Sequence, residues 1–144
     1  MALHVFLTDC DDLENWLETQ IKVAENPDCG CDTETLNNAR SDFKNFENRT
    51  KDIGSRRMKR IEEDAEPLRK RGSALVDDVN KRIAILKGLW RELLDALARK
   101  GSLLQKMSDI FTFDELVTVC IDRIKVFYQV FSQSEENLRN LLLN

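Results

Sequence analysis

The chain contains few of the residues that interrupt helices. Its 144 residues include two prolines and five glycines, and aromatic residues make up 7%. An all-β chain needs many turns, and proline and glycine are the residues that most often form them. Charged residues make up 33% of the chain, which is typical of long solvated helices. The composition therefore predicts an all-α fold, with one domain or one domain and an added element.

The chain also lacks the sequence motifs that mark common classes of enzyme. The chain has one histidine, no glycine-rich phosphate loop and no GxSxG motif, so nucleophilic and nucleotide chemistry lack their usual groups. Acidic pairs such as Asp11-Asp12 and Glu62-Glu63 fall at solvated helix positions, whereas acid–base catalysis needs carboxylates in a cleft. We therefore expect no enzymatic activity and no catalytic residues.

The cysteines do not complete a metal site. Cys29 and Cys31 have the spacing of half a zinc site, but a closed tetrahedral site needs two further ligands. The only histidine is His4, and Cys10 lies on a predicted helix. In a helical chain without a secretion signal, free thiols are the default. We expect Cys29 and Cys31 to lie in a turn as free thiols, with no metal and no cofactor.

Charge and hydropathy limit the partners. The net charge is −4, which gives no reason to expect nucleic acid or an anionic membrane as the main partner. The apolar runs are too short to span a bilayer, and the N-terminus lacks the basic start and apolar core of a signal peptide. We expect a cytosolic or nuclear protein that does not insert into a membrane.

Helical periodicity first defines two segments. The first runs from about Leu3 to Ala24 and stops near Pro27. A cap at Asp32 or Thr33 begins the second. The apolar spacing of the second segment runs up to Ile53. After Gly54 it resumes one residue late, which is a heptad discontinuity. Pro67 is expected to kink or weaken its last turns.

The third segment, from Val76 to Met107, keeps a heptad spacing of apolar residues with Lys100 as its one charged member. Three helices joined by short turns pack most simply as an antiparallel bundle. The residues predicted to define the core are Phe6, Leu13, Trp16, Leu17, Phe43, Phe46, Ile83, Leu86, Trp90 and Leu93.

A fourth segment has its own start signal. Thr112 and Glu115 match a capping box, which predicts a chain break between Ser108 and Thr112. The following residues repeat every three or four positions, with Ser134 as the polar member. We call these apolar residues the C-terminal stripe: Phe113, Val117, Cys120, Ile124, Phe127, Phe131, Leu138 and Leu141. The stripe packs on the bundle, pairs with another chain, or belongs to a following unit. Its candidate interface residues are Phe113, Val117, Ile124, Phe127 and Phe131.

A basic cluster of Arg56, Arg57, Lys59 and Arg60 is a second candidate surface. Such a cluster could bind actin, acidic lipid or a carboxylate-rich partner. Nearby acidic residues make pairing between positions i and i+4 of the same helix the plainer interpretation.

The sequences LHVFLTDCDDLENWLE and IAILKGLWRELLDALARKGSLLQ resemble the first and third helices of a spectrin repeat, each with a tryptophan facing the core. The stretch LNNARSDFKNFENRTKDI, with Phe46-Glu47, resembles the second helix. The resemblance covers residues 2–107 and implies an antiparallel three-helix bundle. Residues 112–143 are then an additional helix, which packs on the bundle, associates with itself or begins a truncated next repeat.

The resemblance implies a spacer and scaffold segment of a large cytoskeletal, membrane-skeletal or nuclear-envelope linker protein. The expected location is cytoplasmic and cytoskeleton-associated, and the expected partners are other proteins, including neighbouring repeats. The alternative is an interaction or regulatory module of a signalling adaptor or exchange factor, acting through the last helix. Homodimerisation through Phe113, Ile124, Phe127 and Phe131 would favour that alternative. The core pattern directly after Met1 also suggests a fragment of a longer chain.

Overall fold

The computed structural model describes residues 2–27 and 32–143, which form three helices and, over these ranges, no strand. Helix α1 is Ala2–Glu25, α2 is Thr33–Arg69 and α3 is Ser73–Leu143. The predicted all-α fold is confirmed. The chain divides into two compact units, Met1–Gln105 and Lys106–Asn144. We call residues 2–105 the bundle and residues 106–143 the C-terminal segment.

All three helices contribute apolar side chains at three- and four-residue intervals to the bundle core. Removal of a large aliphatic or aromatic side chain from water contributes about 1.5–3 kcal/mol. This burial is the main contribution that holds the three helices together in the bundle. The core consists of Phe6, Cys10, Leu13, Leu17, Ile21 and Ala24 from α1, Met58, Ile61, Ala65 and Leu68 from α2, and Val79, Ile83, Leu86, Leu93, Ala96 and Leu97 from α3.

Helix α2 begins with a capping box at Asp32, one of the two caps that the sequence offered. The Asp32 carboxylate accepts a hydrogen bond from the Thr35 backbone N–H at 2.8 Å, and the Asp32 N–H donates to Thr35 Oγ1 at 3.1 Å. The backbone N–H and the hydroxyl of Thr35 both donate to the Asp32 carboxylate and lower its pKa, because they favour the charged form. The cap fixes where the chain re-enters helix after Pro27. At its other end α2 includes Pro67 and stops two residues later, at Arg69.

The discontinuity in α2 lies at Gly54, which is itself a core residue. Thr50, Gly54 and Met58 are buried, whereas Ile53 is half-buried. The prediction that Ile53 belongs to the apolar face of α2 is therefore wrong by one residue. The pattern could not reveal Gly54, because glycine has no apolar side chain to count.

The predicted chain break between Ser108 and Thr112 is wrong. Helix α3 runs through this stretch as one element, so Thr112 is an interior helix residue and no separate fourth helix begins there. Residues 102–143 contain neither glycine nor proline, and serine or threonine inside a helix costs only about 0.5 kcal/mol relative to alanine. The capping-box motif alone is too weak to end a helix made of such residues.

The apolar spacing along α3 nevertheless changes beyond the bundle. Met107, Ile110 and Phe113 follow one another at intervals of three, which interrupts the three-four alternation. The alternation then resumes at Val117. This interruption lies next to the boundary of the two units at Gln105.

Candidate interaction surfaces

The described residues hold no group of three or more His, Cys, Asp or Glu side chains suited to a metal ion. Cys10 is a buried free thiol and Cys120 an exposed one. Burial raises the pKa of Cys10, since the low-dielectric core disfavours the thiolate, and Cys10 is therefore a core residue of low reactivity. The predicted turn thiols Cys29 and Cys31 lie outside the described residues.

Across residues 2–27 and 32–143, none of the helices has the length and apolar character that a membrane span requires. Their apolar residues are arranged as faces, separated by charged positions. These faces therefore point to contacts between helices.

The ten residues predicted to define the core divide into two groups. Six are buried: Phe6, Leu13, Leu17, Ile83, Leu86 and Leu93. Trp16, Phe43, Phe46 and Trp90 are half-buried and pack against the core from its edge. The Arg57 guanidinium lies 5.5 Å from the centre of the Trp16 ring, close enough for a cation–π interaction that covers the outer face of the indole.

Each residue of the predicted basic cluster has a partner inside the bundle. Arg56 contacts Asp52 at 2.6 Å, Lys59 lies 4.0 Å from Glu63 and Arg60 lies 4.0 Å from Asp64. The fourth member, Arg57, is placed over Trp16. These contacts favour the interpretation as internal helix pairing.

A small pocket of about 130 Å³ borders the same cluster. Its charged lining residues are Arg57, Arg60, Asp9 and Asp64. Two cations face two carboxylates there, so the pocket lacks the single sign of charge that an anion site requires.

Ion pairs between helices form a second feature of the bundle, one that the sequence analysis missed. Arg82 of α3 contacts Asp11 of α1 and lies 3.6 Å from Glu14. Lys87 of α3 lies 2.8 Å from Glu62 of α2. The hydrogen bond from Lys87 lowers the pKa of Glu62, because it favours the carboxylate. The partners lie at least 25 positions apart in sequence, so helical spacing gave no signal for them.

The largest candidate surface lies on the C-terminal segment. The five predicted interface residues are exposed: Phe113 at 65%, Val117 at 37%, Ile124 at 66%, Phe127 at 72% and Phe131 at 61%. Among the described residues, twenty large hydrophobic side chains are exposed, and sixteen of them lie from Ile110 to Leu143. An aromatic side chain has about 150–250 Å² of surface, so the three phenylalanines and Tyr128 alone expose roughly 500 Å². That matches the largest apolar patch of a typical monomer, and such patches mark interaction sites.

Comparison with known families identifies the bundle. The family model of the spectrin repeat matches residues 1–106, which is most of the chain and all of the bundle. The chain belongs to the spectrin repeat family, as its first and third helices predicted. The fold of this family is structural, and its members are typically non-enzymatic. A search of curated proteins found no match to the chain.

Proposed function

We propose that the chain is a spacer and scaffold segment of a large cytoskeletal, membrane-skeletal or nuclear-envelope-linking protein, and that it has no enzymatic activity. One observation carries the proposal: α3 belongs to the bundle and continues without interruption to Leu143. A continuous helix keeps its ladder of backbone hydrogen bonds, so force applied at one end reaches the packed core through an ordered element. The membership of the spectrin repeat family supports the same role.

The proposed location is the cytoplasm, in association with the cytoskeleton, and the proposed partners are proteins. The net charge of −4 supports protein partners over nucleic acid. The pairing of Arg56, Lys59 and Arg60 with carboxylates of the same helix argues against a free cationic surface for actin or lipid.

Mechanical extension of single molecules tests the spacer role. With handles at both ends of the chain, the bundle is expected to unfold in one cooperative event, because its three helices share one core. Unfolding of residues 2–105 should lengthen the chain by about 300 Å, given about 3.5 Å per extended residue. Smooth extension without such an event would contradict the proposal.

A second candidate function is favoured by the C-terminal stripe, which is exposed along the segment. In this role the chain is an interaction or regulatory module, and the C-terminal segment docks a partner. An apolar surface of this size either binds the dye ANS or is covered by association. A chain that stays monomeric and binds no ANS would contradict the docking role.

A further inference from the structure

The middle of the C-terminal stripe is suited to helix pairing. From Phe113 to Phe131 every stripe position is apolar, and the intervals alternate between four and three, as in the a and d positions of a coiled coil. The neighbouring positions Leu116, Ile121, Tyr128 and Val130 are also apolar and 46–70% exposed. A partner helix laid along the stripe would cover both sets.

The charges of the segment favour one orientation for a second copy. Residues 109–122 contain four acidic residues and no basic one, whereas residues 123–141 contain three basic and two acidic residues. A parallel pair would place the acidic halves of two copies against each other, which is unfavourable. An antiparallel pair places each acidic half against the half that carries the cations.

The stripe also selects a register for an antiparallel pair. Centring the pair on Asp122 places Phe113 opposite Phe131 of the second copy, Val117 opposite Phe127, and Cys120 opposite Ile124. A shift of one heptad in one direction would place Lys106 opposite Phe131. The opposite shift would place Ser134 opposite Val117. Only the centred register pairs apolar residues in every layer from 113 to 131.

The geometry points to a second copy of this chain as the partner of the C-terminal segment, paired antiparallel and centred on Asp122. The exposed aromatic rings alone supply roughly 500 Å² per copy, and the aliphatic residues around them raise this toward the 800 Å² per partner of a standard protein interface. This inference depends on the docking role proposed for the segment and not on the spacer role.

Sedimentation equilibrium of the full chain tests the pairing, with two variants of equal charge. Phe127→Glu places a carboxylate inside the paired face and should raise the dimer dissociation constant about 100-fold or more, since each dimer contains the change twice. Gln129→Glu adds the same charge on the opposite, polar side of the helix and should leave the dissociation constant within a few-fold of the original. Circular dichroism measures whether both variants keep the helical content of the original chain.

A zero-length amine–carboxylate cross-linker tests the antiparallel orientation in the unmodified protein. In the centred antiparallel pair, Lys106 of one copy approaches Glu135 of the other. Within one α3 these residues are about 45 Å apart at 1.5 Å per residue, so their cross-link forms only between copies. A dimer without it would overturn the proposed antiparallel orientation.

A monomer at every concentration would overturn the self-pairing. ANS binding then separates the two ideas. A monomer that binds ANS, and loses that binding in Phe127→Glu, has a docking surface for a different partner. A monomer that binds no ANS has neither a self-pairing face nor a docking face.

Discussion

The Trp90 indole lies against the bare backbone of Gly54, where α2 and α3 meet. A Cβ at position 54 would lie 2.1 Å from Cζ3 and 2.5 Å from Cη2 of this ring, far inside any van der Waals contact. The half-buried ring also packs against the core. Glycine at 54 therefore fixes how closely the two helices approach.

We expect Gly54→Ala to destabilise the bundle by about 1–3 kcal/mol, because the indole must leave its position. Alanine is the better helix former by about 1 kcal/mol, so a net loss would show that the steric effect dominates. Urea unfolding measures the change, and tryptophan fluorescence in a Trp16→Phe background reports the displaced Trp90 ring.

Gly88→Ala is the matched control. Gly88 also lies inside a helix, but a Cβ there would meet no atom within 4 Å. This variant should gain about 0.5–1 kcal/mol from helix propensity alone. Equal stabilisation by both substitutions would refute the role of the Gly54–Trp90 contact.

The sequence predicted burial correctly at positions where an apolar side chain itself occupies the core. Leu13, Leu17 and Leu93 are buried at positions that the spacing selected. The sequence pattern did not predict Gly54 as a core residue, because glycine contributes only the space that Trp90 occupies. Trp16 is half-buried because its ring is large enough to reach from the core to the guanidinium of Arg57.

Among the helices, charged pairs add to the apolar contacts. Glu62 of α2 bonds Lys87 of α3 at 2.8 Å and lies 3.6 Å from Arg69. Its side chain is 35% exposed, so solvent screens the pair and its contribution stays within about 1 kcal/mol.

The lowered pKa of Glu62 predicts a pH-dependent contribution to stability. Because the folded-state pKa lies below the ordinary value of 4.5, the contribution is fully present above that value. It is lost as the pH falls from 4.5 through the lowered pKa. Glu62→Gln should therefore cost about 0.5–1 kcal/mol at pH 7 and much less at pH 3, as measured by urea unfolding at both pH values.

Glu63→Gln is the control for this prediction. Glu63 faces Lys59 of its own helix at 4.0 Å and is 64% exposed, so its loss should change the unfolding free energy by less than the loss of Glu62. If both variants cost the same at pH 7, the pair between helices has no special role.

Local sequence motifs predicted the start of α2 correctly but predicted a helix boundary near Thr112 that does not exist. The start of α2 was predictable because Asp32 caps it after a proline. The break near Thr112 was not real, since a capping motif competes there with a long run of helix-compatible residues. Helix continuation depends on the sum over many residues, and a single motif reports only four of them.

At the scale of the whole molecule, heptad spacing predicted the three-helix bundle, because a face that repeats over several turns must be covered. The same spacing predicted an apolar face on residues 113–141 but could not name its partner. An apolar face indicates that a partner covers it, but several different helices with a matching apolar pattern could be that partner.

The proposed transmission of force through the chain depends most on the continuity of α3 from the bundle into the C-terminal segment. Hydrogen exchange of the backbone amides from Gly101 to Cys120 tests it most directly. We predict that residues 108–112 are protected at least as well as the helical turns on either side. If the amides of residues 108–112 exchanged at the rate of an unfolded chain while the turns on either side were protected, α3 would not be continuous, and the chain would break between Ser108 and Thr112.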